Sequence, residues 1–394
     1  MMNPYRWRRA VPALCLALAL MLSGAAGAED FSVNDEEEEL LRQGHEGAAM
    51  YLMRDMSLEE KICQMFFVTP EQLSGETFTT AYSDALAEAF ERYPVGGVMM
   101  FGQNIYDGES ILALNSALTE ASMRRGGIGV MIGIGEEGGR AAPLTKKLGL
   151  SAIPAPRQMT ADDAWEWGRE VAGRLKEYGF NLDLAPSADM YVEGGNTEIG
   201  DRSFSYDSSE TAACALLFMN GLQENGVISV YKHFPGIGTV DSNTRLGWGH
   251  ITQNMAEIRS RALVPFYSAV WEGCGMILVT AIDMAEVDEN VPACFSPSVV
   301  RGLLRNTMGY RGVIITDSLR SGRVTQNYSS GKAAVEAIRA GCDMILLPKD
   351  FQGALRAVTE AVASGEISAE RIDESVQRIL ALKISFGLVR GAGR

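Results

Sequence analysis

From about residue 60 onward, short apolar runs alternate with longer amphipathic ones, and this alternation limits the fold more than any single motif does. The apolar runs are 64–68, 96–101, 130–133, 181–185, 227–231, 276–280, 313–316 and 344–347. Between them lie stretches of helical periodicity, among them 83–92, 111–124, 162–178, 208–225, 255–272, 297–306, 331–340 and 351–364. Many close on glycine (Gly179, Gly226, Gly273, Gly341, Gly365), as helix C-termini prefer. Strands apolar on both faces imply a parallel sheet covered by helices. Eight strand–helix units over about 300 residues match an α/β fold of the (β/α)8 TIM-barrel type in count and size. An open doubly wound sheet would carry a glycine-rich phosphate loop after its first strand, and none follows Val68. Residues 368–388 read as one more amphipathic helix on the outside.

Residues 1–28 read as a signal peptide. Arg6, Arg8 and Arg9 precede an apolar run over 10–22 and a small-residue cleavage site ending at Ala28. That run is short for a membrane span, so cleavage after Ala28 and a secreted or extracytoplasmic product are expected, with no transmembrane anchor after processing. Removing these residues takes away three arginines and no acids, which moves the formal net charge from −15 to −18. So acidic a surface repels phosphate backbones and argues against nucleic-acid binding. Residues 29–55, with an acidic run at 35–39, form a polar lead-in that reads as a solvated linker, and residues 56–394 form the barrel domain. The remaining cysteines (Cys63, Cys214, Cys274, Cys294, Cys342) are odd in number and form no CxxC pair, so they read as buried hydrophobes. With three histidines in the chain, no metal and no cofactor is expected.

In such a barrel, chemistry belongs at the carboxyl ends of the strands. That rule selects residues 135–140, Asp183, Asp189, Arg202, Lys232, His233, Asp241, Asp283, Asp317 and Lys349. The stretch 232–243 concentrates a lysine, a histidine, glycine and proline breakers and a carboxylate behind an apolar strand. Four aromatic residues near the presumed mouth, Trp248, Tyr231, Phe204 and Tyr206, are candidates for stacking on a sugar, with core packing as the alternative. Trp248 has the best claim, since it lies between glycines in that loop. A phosphate-handling barrel is disfavoured, because the loops after the last two strands would present Asp317 and Asp350.

Glu136-Glu137-Gly138-Gly139-Arg140, Ile199-Gly200-Asp201-Arg202-Ser203-Phe204, the 232–243 loop and Ile314-Ile315-Thr316-Asp317-Ser318-Leu319 together resemble glycoside hydrolase family 3. The likeness is to its single-domain β-N-acetylglucosaminidases, and it extends over about residues 50–390 in the order the family has. The resemblance implies a retaining glycosidase acting on terminal β-linked N-acetylhexosamine, with cell-wall or glycan fragments as the substrate class. It further implies Asp317 as nucleophile, Asp241 as the carboxylate of an acid/base pair, and Arg202, Lys232 and His233 as sugar ligands. Arg140 fits the same mouth, and a salt bridge to Glu136 or Glu137 would explain it equally well.

The sequence departs from the family at several of these positions. The histidine of the acid/base pair is Asn243, and an amide neither delivers nor accepts a proton in this role. The histidine after Pro-Gly is Ile237, the aspartate before Glu136 is Gly135, the arginine after Arg140 is Pro143, and the histidine after Ala281 is Ile282. The loop is also two residues shorter than usual between Gly238 and Asp241. His250, seven residues beyond Asn243, reads as a surface histidine at the start of the next helix, or as an acid if the loop folds back. Asp283 reads as a strand-end cap or as a mouth-facing acid. The alternative to turnover is a protein of the same fold that binds carbohydrate without cleaving it.

Overall fold

All eight strands of the central sheet are parallel, and apart from His233 every residue in them is buried. The computed structural model describes residues 32–240 and 249–390. The strands are β1 (Phe66–Val68), β2 (Gly97–Met99), β3 (Met131–Ile134), β4 (Leu182–Asp183), β5 (Ile228–Phe234), β6 (Met276–Val279), β7 (Val313–Thr316) and β8 (Ile345–Leu346). Their order in the sheet is β8-β1-β2-β3-β4-β5-β6-β7. The edge strands meet through the parallel bridge Ile315↔Met344, which all but closes the sheet into a barrel. The expected (β/α)8 architecture is therefore the observed one, with each predicted run coinciding with a strand.

Packing on one face of the sheet depends on residue size. A Cβ on Gly97 would stand 2.4 Å from the Phe67 ring, and one on Gly133 would stand 2.8 Å from Leu182. Any side chain at Gly97 would displace the aromatic ring, because interiors pack at crystal-like density. Around the sheet, helices begin on side-chain caps. Ser57 and Glu60 form a reciprocal capping box, and Asp107, Asp207, Ser329 and Ser368 accept from first-turn N–H groups. The five glycines expected to close helices all have positive φ, between 70° and 118°.

Three expectations are modified. The stretch read as one helix over 255–272 is α-helical at Met255–Glu257, π-helical at Ile258–Ala262 and α-helical again at Val264–Trp271. Pro265 accounts for the break, since it has no N–H to continue the ladder. The lead-in read as a linker carries a helix, Ser32–Met53, whereas the compact unit that holds the barrel runs from His45 on. The outer helix read over 368–388 is Ala369–Ser385. All five cysteines from Cys63 on are free and buried, in line with their reading as small hydrophobes. Among the described residues no helix is long and apolar enough to cross a membrane.

Two buried charges tie the outer helix Ala369–Ser385 to the barrel. Asp343, fully buried just before β8, accepts from Arg378 at 3.0 Å, Ser375 at 2.8 Å and the Ile314 N–H at 2.9 Å, and it also pairs with Arg305. Lys383 is fully buried and donates to Gln64 at 2.7 Å, with no carboxylate beside it. Burial pushes its ammonium down to about 7. The unfolded chain keeps that proton up to the ordinary lysine value of 10.5, so between these limits it binds more protons and stability rises with pH. Lys383→Met is therefore expected to remove a gain of about 1–2 kcal/mol between about pH 7 and about pH 8.5, below the thiol range. Urea unfolding of both proteins across that window checks it, and parallel pH profiles would refute it.

Candidate active site

The carboxyl ends of β3 and β4 place three carboxyl groups side by side, and β5 brings a lysine to them. Glu137, 3% exposed, takes both forks of Arg202, Nε at 2.7 Å and Nη2 at 2.8 Å, and Lys232 Nζ at 2.5 Å. Burial alone would raise its pKa, but the Arg202 and Lys232 charges more than offset that and hold it far below the ordinary glutamate range. Glu136 and Asp183 show the opposite balance. Burial pushes Glu136 up against its hydrogen bonds from the Leu144 and Thr145 N–H groups at 2.9 and 3.0 Å. Burial likewise raises Asp183 to about 8. Its Oδ1 accepts from the Glu136 N–H at 2.8 Å, while Oδ2 has no hydrogen-bond partner.

Lys232 also donates to the Leu184 carbonyl, so two of its three N–H groups are engaged. Next to it, His233 Nδ1 lies 2.7 Å from the buried Asp189 carboxylate. Asp189 accepts from Ser187 Oγ at 2.8 Å and from the Ile237 N–H at 2.8 Å. Burial opposes ionisation of Asp189, yet the His233 ring and these donors hold it below its ordinary value. Ile237 thus keeps a structural bond through its backbone while its side chain is buried. Gly238 follows in close contact, since a Cβ there would be 2.0 Å from the Met190 carbonyl oxygen.

Asp317 leaves β7 half-buried. Its N–H donates to the Val279 carbonyl at 2.8 Å. Its carboxylate accepts the Ser318 N–H at 2.7 Å and, more weakly, the Ala281 N–H at 3.5 Å. Backbone groups alone therefore hold the carboxylate, with no cation paired to it among the described residues. Just beyond β6, Asp283 is fully buried and pairs with His250 Nδ1 at 2.8 Å and with Arg323 Nη2 at 2.6 Å. The strand pair His250–Ile251 and Asp283–Met284 runs parallel over this contact.

Several expectations are thereby corrected. Arg140 forms no salt bridge to Glu136 or Glu137. It pairs with Asp201 at 2.7 Å and donates to the carbonyls of Thr197, Glu198 and Ile199, bracing that loop. The partners of Glu137 are instead Arg202 and Lys232. His250 begins no helix, and Asp283 caps no simple turn, because each is bound to the other. Tyr231 is core, edge-on to Phe266 at 5.6 Å, and Phe204 is buried against Phe218. Tyr206 is exposed, with the Arg157 guanidinium 4.1 Å over its ring. Asp350 caps its own helix through the Gly353 N–H at 3.0 Å, which leaves no open phosphate cradle there. Asp241, Asn243 and Trp248 lie outside the described residues. At Gly135 an added Cβ would meet nothing nearer than Leu184 at 3.9 Å, so the glycine is not imposed by crowding.

Comparison with known proteins agrees with this geometry. The model of the glycosyl hydrolase family 3 N terminal domain matches residues 57–382. A protein named beta-hexosaminidase A from Pseudoalteromonas piscicida is 26% identical over 332 residues, which are 77% of this chain and 56% of that protein. A beta-hexosaminidase from Tolumonas auensis is 31% identical over 280 residues, 69% of this chain and 81% of the relative. The structure of a glycoside hydrolase family 3 beta-N-acetylglucosaminidase from a Paenibacillus species superposes with a TM-score of 0.78 at 29% identity, covering 84% of this chain and 63% of that one. The chain thus spans little more than half the length of the Pseudoalteromonas relative. By matched extent, barrel topology and the cluster at the strand ends, this chain belongs to glycoside hydrolase family 3, through the barrel that forms the N-terminal domain of that family.

Proposed function

We propose that the protein is an exported retaining glycosidase that removes terminal β-linked N-acetylhexosamine from glycan or cell-wall fragments, with Asp317 as the nucleophile. The observation that carries this reading is the state of Asp317: a half-buried strand-end carboxylate, steadied by backbone N–H groups and unpaired with any cation among the described residues. A carboxylate so held keeps lone pairs available for an anomeric carbon. Among the described residues, Lys232 has one N–H group left and Arg202 has donors beyond those Glu137 takes. Both suit sugar hydroxyls, and His233, oriented by Asp189, suits the same ring or its N-acetyl group. The Asp317 carboxylate attacks the anomeric carbon as the glycosidic oxygen departs with a proton, and water then opens the glycosyl ester with net retention. Export rests on the charged, apolar and small-residue order of residues 1–28.

The second reading, a carbohydrate-binding member without turnover, draws on Asn243 and on the buried isoleucines 237 and 282 where the family has histidines. An activated fluorinated N-acetylglucosaminide separates the two readings, because its leaving group needs little protonation. The expected result is a sugar adduct seen by intact-mass spectrometry in the wild type and absent in Asp317→Asn. Turnover is expected to fall by about three orders of magnitude in that variant, with the thermal midpoint shifted by less than about 2 °C. Sugar binding with neither adduct nor turnover would establish the second reading.

Glu137→Gln tests the cation cradle. Losing the buried charge leaves Arg202 and Lys232 uncompensated, which is expected to cost about 3–5 kcal/mol at neutral pH. The folded-state value of Glu137 is depressed, so the wild type forfeits this contribution as pH falls below the ordinary 4.5, and the two proteins should converge there. Denaturant midpoints at pH 7 and in acid decide it. A difference unchanged by acid would remove Glu137 from the role.

A further inference from the structure

Resting on the glycosidase reading above, we propose that His250, oriented by Asp283, is the general acid/base of this protein. Two histidine–carboxylate pairs stand at the carboxyl end of the barrel. In the first, His233 is mostly enclosed between Lys232 and the Asp189 network, with its ring 12% exposed. In the second, His250 is 43% exposed while its partner Asp283 is fully buried. A proton donor to a leaving group must meet substrate at the surface of the pocket while something behind it fixes the ring, and only the second pair has that arrangement.

Asp283 is held from three directions. His250 Nδ1 approaches at 2.8 Å, Arg323 Nη2 at 2.6 Å, and the N–H of Asn290, a residue at φ 63°, donates at 2.9 Å. The strand pairing His250↔Asp283 fixes the backbone on both sides of the contact. With Nδ1 committed to Asp283, Nε2 is the nitrogen left to exchange a proton. Asp283 is also linked to the nucleophile along the chain. The Ala281 N–H donates to Asp317, and the Cα of Asp283 lies about 7 Å at most from that of Ala281. Arg323 comes from the helix Gly322–Asn327, which follows Asp317 directly in the chain. A purely structural aspartate would need donors from these segments, but not a half-exposed imidazole.

In the first step the Asp317 carboxylate oxygen bonds to C1 as the C1–O bond to the leaving group breaks, and the proton on His250 Nε2 passes to the departing oxygen. In the second, Nε2 takes a proton from water, whose oxygen bonds to C1 and displaces the Asp317 carboxylate. The ring is again protonated, and the products are the free sugar and the alcohol. Asp283 is a positioning residue throughout.

The test compares a 2,4-dinitrophenyl β-N-acetylglucosaminide with N,N′-diacetylchitobiose, using the full chain, His250→Ala, His250→Gln and Asp283→Asn. Loss of His250 is expected to lower kcat/KM on the disaccharide by about 10²–10⁴-fold and on the activated glycoside by no more than about threefold. Azide is expected to restore turnover of the activated glycoside and yield the β-glycosyl azide, since it attacks C1 of the Asp317 ester without needing a base. Asp283→Asn should show a smaller loss with the same dependence on the leaving group; should that variant fail to fold, His250→Gln carries the comparison. Equal losses on both substrates, no loss on the disaccharide, or no azide product would overturn the assignment while turnover and an Asp317 adduct leave the glycosidase reading in place. A wild type that neither turns over either substrate nor forms the adduct would overturn both.

Discussion

One buried negative charge organises the carboxyl ends of β3, β4 and β5 in this barrel. Glu137, at the end of β3, draws Arg202 from the loop after β4 and Lys232 from β5 onto a single carboxylate. Three strand ends that share no local sequence contact are thereby fixed relative to one another. Taking such a group out of water is costly, and the arrangement persists because two cations and several hydrogen bonds compensate it. The same bonds set what remains for a ligand, since each N–H turned to Glu137 is unavailable to a hydroxyl.

The neighbouring carboxyls follow from that choice. Glu136 and Asp183 lie in the same buried group, and among the described residues no cation forms an ion pair with either; burial raises both above their ordinary values, and the neighbouring carboxylates add to the rise at Asp183. Asp183, raised to about 8, favours its neutral form near neutrality, whereas Glu137 keeps its charge because two cations offset its burial. Asp317 stands outside this group and is held by N–H dipoles instead. Among the described residues no ion pair neutralises it, which suits the proposed nucleophile.

The barrel was legible in the sequence because strands covered on both faces are apolar throughout, and the competing open sheet lacked its glycine-rich loop after Val68. Asp317, Lys232 and His233 were legible too, since each ends or follows an apolar run. What escaped was pairing across loops. Arg140 and Arg202 stand in equally suggestive motifs, yet one braces residues 197–201 and the other embraces Glu137. Nothing in the local pattern separates them, because the difference lies in which loop folds over which strand end. Asp189 was noted as a strand-end acid, but its bond to His233 spans 44 residues. The pair His250 and Asp283 spans 33, and the two-residue strands that align it are too short to leave a periodic signal. The break before Val264 was the most readable of the missed features, since Pro265 stood in the run.

The polar groups of the mouth fall into two clusters, and the order of the strands places them unequally about the nucleophile. Glu137, Arg202, Lys232, Asp189 and His233 belong to β3 through β5, whereas Asp283, His250 and Arg323 belong to the segments after β5, β6 and β7. Ile237 and Ile282, both buried, follow β5 and β6 and offer no side-chain donors. A sugar ring bound over β3–β5 would present its anomeric carbon toward β7, which bears Asp317. On that placement its leaving group extends toward the second cluster, the side on which a proton is needed. Binding and the proposed proton transfer then fall to separate clusters, so that a change in one need not disturb the other: Lys232 is tied to Glu137 by an ion pair, while the His250 ring, bound to Asp283 through Nδ1, is 43% exposed.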